Sequence, residues 1–244
     1  MILLQQINVA EGYAQLVQAD MGTPSADISM TPLMDAARSL GLRQLRVRNE
    51  DGNNQTILLR PDPSRRQRPL RAETAEGKTN NPPLITAQPN TQASSLLGHR
   101  WTLEQGCAVY DARFSHESYS LPLISAYVTM LLASMGASES QIMQFRLAVY
   151  EICANIVEHG VVRQQPTEIG IHLALMPGEV RGWIQDSCER FDPLSKPTGS
   201  VKEHMATRAS RGYGIHMMRQ LLQELDHEFN STGNRTLFKK RITS

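Results

Sequence analysis

The sequence lacks an excess of charge of either sign, and it lacks any long apolar run. Its 244 residues include 25 Lys and Arg against 24 Asp and Glu, a net charge of +1 at pH 7. This balance excludes the broad basic field that drives non-specific nucleic-acid binding. No apolar run approaches the roughly 20 residues that span a bilayer, and the first residues do not form a secretory signal. We therefore expect neither a membrane nor nucleic acid as a direct partner.

Cysteine is also scarce. Cys107, Cys153 and Cys188 are odd in number and widely spaced, which argues against a disulfide framework and against a zinc site. Hydrophobic residues, in contrast, make up 40% of the chain, enough to build a substantial core. These features are typical of a soluble protein in a reducing cytoplasm, and a cytoplasmic location is expected.

Composition divides the chain into three parts. Residues 61–98 hold six of the 13 prolines and show no apolar periodicity, which predicts a flexible linker. An arginine cluster at 65–71 either keeps this linker solvated or docks an acidic partner. Residues 1–60 are predicted to form a small α+β module of unknown function, and residues 99–244 a larger domain.

The N-terminal module contains a helix signal and a hairpin signal. Pro32 in a first turn predicts a helix over 32–40. The dipeptide at 51–52, Asp-Gly, separates two strand-like runs at 42–48 and 55–60, which predicts a β-hairpin. A module of this size is expected to need a partner to complete its core.

Residues 99–244 carry helical and strand patterns that predict a two-layer α+β sandwich. The capping signature at Ser138 and Gln141 marks the start of one helix. Residues 194–211 have no periodic pattern, which predicts a long loop. We predict helices over 121–135, 138–160 and 215–225, strands over 108–114, 169–175 and 180–186, and a hairpin joining 226–231 to 235–242.

Three polar side chains interrupt the otherwise apolar helix of residues 138–160. Glu151, Asn155 and Glu158 lie at i, i+4 and i+7 and therefore share a side of the helix. Such a stripe is either the solvated face of the helix or the wall of a polar pocket. In the second case a carboxylate suits proton transfer from a hydroxyl, and an amide oxygen suits Mg²⁺.

Two further segments contain candidate ligand-binding residues. Asp186 has the parity of the apolar residues of its strand, so its carboxylate needs donors such as a purine amino group; a surface position beyond the strand end is the alternative. Phe191 and Pro193 could then wall a planar ring. Gly212 and Gly214 open a helix, where backbone N–H groups can approach phosphates. Ordinary close packing at a helix start is the alternative there, and the preceding loop would suit a lid.

Taken in order, these segments resemble the GHKL, or Bergerat-fold, ATPases, and specifically the anti-sigma-factor serine/threonine kinases. The resemblance covers about residues 107–243 and leaves the first hundred untouched. It implies a two-layer α/β sandwich of the histidine-kinase-like ATPase type. The matching segments are 151–160, 186–193, 211–222 and the closing 233–241.

The resemblance also implies roles for individual residues. It implies an ATP-dependent protein serine/threonine kinase in which Glu151 is the general base and Asn155 binds Mg²⁺ and thereby the nucleotide. Asp186 would bind the adenine amino group, and Gly212 and Gly214 would close on the phosphates. The implied partners are an anti-sigma-factor antagonist, which is phosphorylated, and a sigma factor held in exchange. A homodimer is compatible with this scheme.

One position departs from the family pattern. The family has Gly two residues after its Asp, whereas this chain has Cys188, whose Cβ and sulfur are expected to crowd the adenine edge. The alternative to a kinase is therefore a non-catalytic partner-binding module with a degenerate ATP site. A sensor histidine kinase is a weaker alternative, because a Pro-rich linker precedes the domain where such kinases carry a dimerisation helix with a phospho-acceptor His.

Overall fold

A computed structural model gives the fold as mixed α+β, as predicted. The residues that it describes are 2–8, 11, 13–18, 30–40, 42–48, 52–59, 96–160, 167–195 and 213–242. Most of the predicted linker, most of the predicted 194–211 loop, and Gly212 lie outside these residues. No helix within the described part of the chain is both long enough and apolar enough to cross a bilayer.

The N-terminal elements form a four-stranded sheet with one helix. Strands β1 (Ile2–Asn8) and β2 (Tyr13–Gln18) pair antiparallel, and helix α1 (Met30–Ser39) leads to β3 (Gln44–Arg48), which runs parallel to β2. Strand β4 (Asn54–Leu58) returns antiparallel beside β3, so the predicted hairpin is present. The first two strands were not predicted.

The second sheet has six strands, in the order β5-β6-β7-β8-β10-β9. Every neighbouring pair is antiparallel. Strand β5 was not predicted, and it includes the last three residues of the predicted linker, 96–98. The six strands are β5 (Leu96–Glu104), β6 (Cys107–Ser115), β7 (Glu168–Met176), β8 (Glu179–Asp186), β9 (Glu224–Asn230) and β10 (Gly233–Arg241).

Three helices cover one face of this sheet, which gives the two layers. They are α2 (Ser120–Ser134), α3 (Glu139–His159) and α4 (Tyr213–Leu221). Helix α3 begins with the predicted capping box, in which the Ser138 hydroxyl accepts from Gln141 N and the Gln141 side chain accepts from Ser138 N.

The prediction that the last helix continues to residue 225 was wrong. Helix α4 ends at Leu221, whose carbonyl oxygen accepts a 2.7 Å hydrogen bond from Lys240 Nζ. Leu225 instead pairs with Phe238 in the β9–β10 ladder. The apolar residues at 221, 222 and 225 have helical spacing, but strand pairing with β10 satisfies the backbone of the last one.

The N-terminal module completes its core on the larger domain. The buried side of α1, with Leu33, Ala36 and Ala37, packs against α2. All but two of the 15 residues of α2 are buried, because the sheet covers one side and the module covers another. A 3.1 Å hydrogen bond from Leu4 N to the Tyr110 hydroxyl links the two sheets. The surface that the module needs is therefore supplied by the same chain.

The other face of the six-stranded sheet carries a row of paired polar side chains. Asp111 Oδ1 lies 2.7 Å from His172 Nδ1, and the His172 ring stacks on Trp183 with a centroid distance of 3.6 Å. The Arg235 guanidinium lies 5.0 Å from the Trp183 ring centre and donates to Glu228. A depression of about 730 Å³ on this face is lined by Trp183 but by neither Glu151 nor Asn155.

Candidate functional site

Several of the predicted site residues meet between α3, α4 and the ends of β8 and β10. They surround a cavity of about 20 Å³, which has room for about one water molecule. Its lining combines apolar side chains with a few polar ones, as ligand pockets usually do. The lining residues are Ile152, Asn155, Ile156, Asp186, Phe191, Pro193, Leu194, Met218, His227, Asn234 and Thr236.

Asp186 is the buried carboxylate of this site, with 6% of its surface exposed. Its Oδ1 accepts hydrogen bonds from Cys188 N and from Asn234 Nδ2, each 2.9 Å long. Both of these donors use Oδ1, so Oδ2 is the oxygen that they leave for a ligand. Asp186 lines the cavity and also the depression on the other face of the sheet. The strand parity that predicted a buried Asp186 agrees with this position, and a surface position does not.

Asn234 is a central residue that sequence reasoning missed. Its Oδ1 accepts from Phe191 N at 3.0 Å, and its Nδ2 donates to Asp186 and to Glu189 O, the latter also at 3.0 Å. Asn after Gly233 is typical of a turn, so the sequence pattern gave no reason to place it in a site. The register of β8 and β10, which pairs Asn234 with Asp186, would have been the signal.

Gly233 is required by the same close approach of strands. Its φ is +124°, and a Cβ there would clash with the carbonyl oxygen of Asp186. Any other residue would therefore push β10 away from the end of β8. The glycine allows Asn234 to lie directly opposite Asp186.

The walls of the cavity are apolar. Phe191 is half-buried after β8, and Pro193 begins a short 3-10 turn. Ile152 of α3 and Met218 of α4 lie on other sides. Asp186 therefore provides a polar edge in a mostly apolar slot, an arrangement that suits a flat heteroaromatic ring. Phe191 and Pro193 both line the cavity, and their role as ring walls stays a prediction.

The polar stripe of α3 divides between solvent and the cavity. Glu158 is exposed, whereas Glu151 and Asn155 are half-buried. Asn155 lines the cavity and makes no hydrogen bond to any residue that the structure describes, so its amide oxygen is available to a ligand. Burial raises the pKa of Glu151, and the nearby Glu158 carboxylate raises it further.

Gly214 lies directly against Glu151. A Cβ on Gly214 would approach Glu151 Oε2 to 2.5 Å, so a larger residue at 214 would require the Glu151 carboxylate to move. The predicted general base and a predicted phosphate-binding residue are therefore neighbours. The close-packing interpretation of Gly214 also fits this contact, and its predicted phosphate contact stays a prediction.

Cys188 is not among the residues that line this cavity, and the expected crowding of the adenine edge by its side chain stays a prediction. Its Sγ lies 3.6 Å from His116 Nε2. It also fills the space beside Gly160, where an added Cβ would lie 2.7 Å from the sulfur. Burial, the largest cause, and the Asp186 charge raise the pKa of Cys188 to about 12, so the group is a packed thiol.

The described residues contain no cluster of three or more His, Cys, Asp or Glu that could hold a metal. A Mg²⁺ ion at this site would instead need phosphate oxygens in addition to the oxygen of Asn155. That is how Mg²⁺ is commonly held in nucleotide sites, with few protein ligands and several from phosphate and water. The donor set at the cavity fits a magnesium nucleotide on these chemical grounds.

Comparisons with known proteins identify related sequences. Residues 114–240 match the family described as the histidine kinase-like ATPase domain. The serine-protein kinase RsbW of Bacillus licheniformis is 24% identical over 113 residues, which is 45% of this chain and 71% of that protein. A solved histidine kinase domain, from the blue-light activated histidine kinase of Erythrobacter litoralis EL346, has 16% identity and a TM-score of 0.34. The match covers 53% of this chain and 62% of that one, less than two thirds of its length.

Proposed function

The chain belongs to the histidine kinase-like ATPase domain family, and from that premise we propose that it is an ATP-dependent protein serine/threonine kinase of the anti-sigma-factor type. Its acceptor would be an anti-sigma-factor antagonist, and its second partner a sigma factor released or held according to phosphorylation. The observation that carries the proposal is the buried Asp186, which presents one oxygen to an apolar slot beside Asn155. The proposed reaction takes place in the cytoplasm, and neither nucleic acid nor a membrane is among the proposed partners.

Nucleotide recognition rests on Asp186 and Phe191. We infer that Asp186 Oδ2 accepts a hydrogen bond from the adenine amino group, while Phe191 and Ile152 contact the faces of the ring. A cavity of about 20 Å³ is far smaller than a purine, so the wall formed by Phe191 and Leu194 must move outward when the base enters. Adenine selectivity then depends on a carboxylate that stays fixed while its surroundings open.

The phosphate end of the site is proposed to lie near Asn155 and the start of α4. When bound, ATP would supply the transferable phosphoryl group, and Mg²⁺ would neutralise most of the charge of its phosphates. Asn155 would contribute one oxygen ligand to the ion. Gly212 and Gly214 would donate hydrogen bonds from their backbone N–H groups to the phosphates. The residues of this chain act mainly by orienting the reactants.

Glu151 is the proposed general base. It would accept the proton of the acceptor serine or threonine hydroxyl as the phosphoryl group arrives. Burial and Glu158 raise the pKa of Glu151, which makes its carboxylate a stronger base, provided that the pH keeps it ionised. Transfer should therefore increase as the pH rises through the pKa of Glu151.

An exposed apolar stripe beside Glu151 supports a protein acceptor. Met143, Leu147 and Tyr150 lie along α3 with 55%, 38% and 37% of their surfaces exposed. Glu151 lies one helical turn after Leu147, at i+4 on α3, so a protein that covers this stripe can bring a hydroxyl to the carboxylate. Three such side chains are few compared with the roughly 20–30 residues of a stable interface, as expected for a transient substrate.

The small cavity also supports a second candidate function, a partner-binding module that does not bind ATP. The two functions are distinguished by calorimetric titration of the parent protein with ATP and with ADP, with and without Mg²⁺. Binding of both nucleotides, strengthened by Mg²⁺ for ATP, is expected for a kinase. Absence of binding to either would reject the kinase and favour the binding module. A homodimer is tested separately by sedimentation velocity.

A further inference from the structure

Asn234 connects the proposed adenine-binding carboxylate to the loop that walls the slot. We propose that Asn234 is a positioning residue that sets the purine selectivity of the site. The inference rests on the proposed function, because it requires that the slot binds a nucleotide. It goes further by assigning a specificity role to a residue outside the three polar segments that suggested the site.

The geometry ties Asn234 to both parts at once. Its Nδ2 donates to Asp186 Oδ1 at 2.9 Å and to Glu189 O at 3.0 Å, while its Oδ1 accepts from Phe191 N at 3.0 Å. Only 3% of Asn234 is exposed. A buried amide has little water with which to replace a lost partner, so its hydrogen bonds restrict the orientation of the carboxylate strongly.

The orientation of Asp186 determines which purine can be bound. Asn234 and Cys188 N both donate to Oδ1, which restricts rotation of the carboxylate and leaves Oδ2 as the oxygen that we assign to the purine. An oxygen acceptor binds a purine that carries an amino group at C6. A purine with a carbonyl oxygen at C6 would place this oxygen against Asp186 Oδ2. Both atoms are acceptors, so they would repel each other instead of forming a hydrogen bond. Selectivity is lost when the carboxylate can rotate away from this contact.

The same amide also fixes the wall of the slot. The Phe191 N–H group would lose its acceptor if Asn234 were truncated, and the aromatic ring would lose its fixed distance from Asp186. Asn234 thus sets both the polar edge and the width of the slot. Truncation should therefore weaken the binding of the preferred purine more than the binding of the rejected one.

The test uses the full-length chain with Asn234→Ala and Asn234→Asp, and titrates each with Mg·ATP and with Mg·GTP as its competitor. Asn234→Asp keeps the size of the side chain and an acceptor for Phe191 N, but it replaces the amide donor with a second carboxyl group beside Asp186. Like charges disfavour ionisation of both groups, so one carboxyl takes up a proton and Asp186 loses its fixed, fully ionised state. Both variants should bind ATP roughly 10- to 100-fold more weakly, the usual effect of losing a hydrogen bond to a charged group. GTP affinity should change little, so the ratio of the two dissociation constants should fall about tenfold or more.

Asn230→Ala is the matched control, since Asn230 is an Asn of the same β9–β10 hairpin whose side chain accepts from Thr232 N and Thr232 Oγ1 within the turn. It should leave both affinities unchanged. Melting temperatures without nucleotide separate selectivity from folding, and Asn234→Asp provides the measurement if Asn234→Ala does not fold. An unchanged ratio in a folded variant, or equal losses for both nucleotides, would overturn the role of Asn234 alone. A parent protein that binds neither nucleotide would overturn the proposed function and this inference with it.

Discussion

Gly160→Ala tests how the chain accommodates Cys188 beside the candidate nucleotide site. The new Cβ would lie 2.5 Å from Ile156 O and 2.7 Å from Cys188 Sγ. Both distances are well below the roughly 3.5–4.0 Å of a favourable contact, so the last turn of α3 or the sulfur must shift. Overpacking of this kind costs about 1–3 kcal/mol, and we expect Gly160→Ala to lower the free energy of unfolding by that amount.

Removing the sulfur should relieve part of this cost. Cys188→Ala alone deletes a buried sulfur, and we expect a loss of about 1 kcal/mol. In the double variant the new methyl group enters the space that the sulfur leaves, while its clash with Ile156 O remains. The double variant should therefore be more stable than the sum of the single variants predicts, by about 1 kcal/mol.

Urea unfolding of the parent, both single variants and the double variant gives this coupling directly. Titration of the same four proteins with Mg·ATP should give dissociation constants within about threefold of one another, because the sulfur does not line the cavity. A coupling of zero would contradict the packing contact between Gly160 and Cys188. Tighter ATP binding after loss of the sulfur would mean that Cys188 does reach the nucleotide.

Three further predictions concern the proposed reaction. Glu151→Gln should lower radiolabelled phosphoryl transfer from ATP to a candidate antagonist roughly 10²- to 10⁴-fold, and it should abolish the rise of the rate with pH. ATP affinity should stay the same. Transfer at the parent rate would exclude Glu151 as the general base. Asn155→Ala should remove the Mg²⁺-dependent part of ATP binding measured by calorimetry, with an unchanged circular dichroism spectrum; equal Mg·ATP affinity in variant and parent would refute the metal ligand. Leu147→Asp should raise the KM for the protein acceptor at least about tenfold without affecting ATP binding, whereas Arg146→Ala, at the preceding residue of α3, serves as its control. An unchanged KM in Leu147→Asp would show that the stripe is not part of the acceptor surface.

Periodicity in the sequence was sufficient for the elements whose local signals agree with their burial. The capping box at Ser138 fixes the start of α3, and the alternation along β8 places Asp186 on the buried face. The end of α4 at Leu221 was not predicted, because the apolar residues at 221, 222 and 225 have helical spacing and only the pairing of Leu225 with Phe238 makes it part of a strand. Strand β5 was missed because Gly98 and Arg100 interrupt its apolar pattern and only pairing with β6 specifies it.

The candidate site was predictable only as far as single segments allow. Glu151 and Asn155 are four residues apart in the sequence, and helix geometry therefore places them on a common side of α3. The partnership of Asn234 with Asp186 depends on strand register across a 48-residue separation, which no local pattern contains. The direction of the Cys188 side chain could not be predicted either, since it depends on the space beside Gly160.

The packing of α1 on α2 affects how the protein can be made in a cell. Residues 1–60 leave the ribosome before α2 has been synthesised, so the apolar side of α1 has no cover at that stage. At about 5–20 residues per second, the ribosome needs roughly 4 to 15 seconds to reach the end of α2. During that interval the nascent chain exposes a surface that chaperones bind, and a product released within the linker would keep it exposed and be degraded. Residues 1–60 made alone are therefore expected to be less stable than the same residues within the full chain.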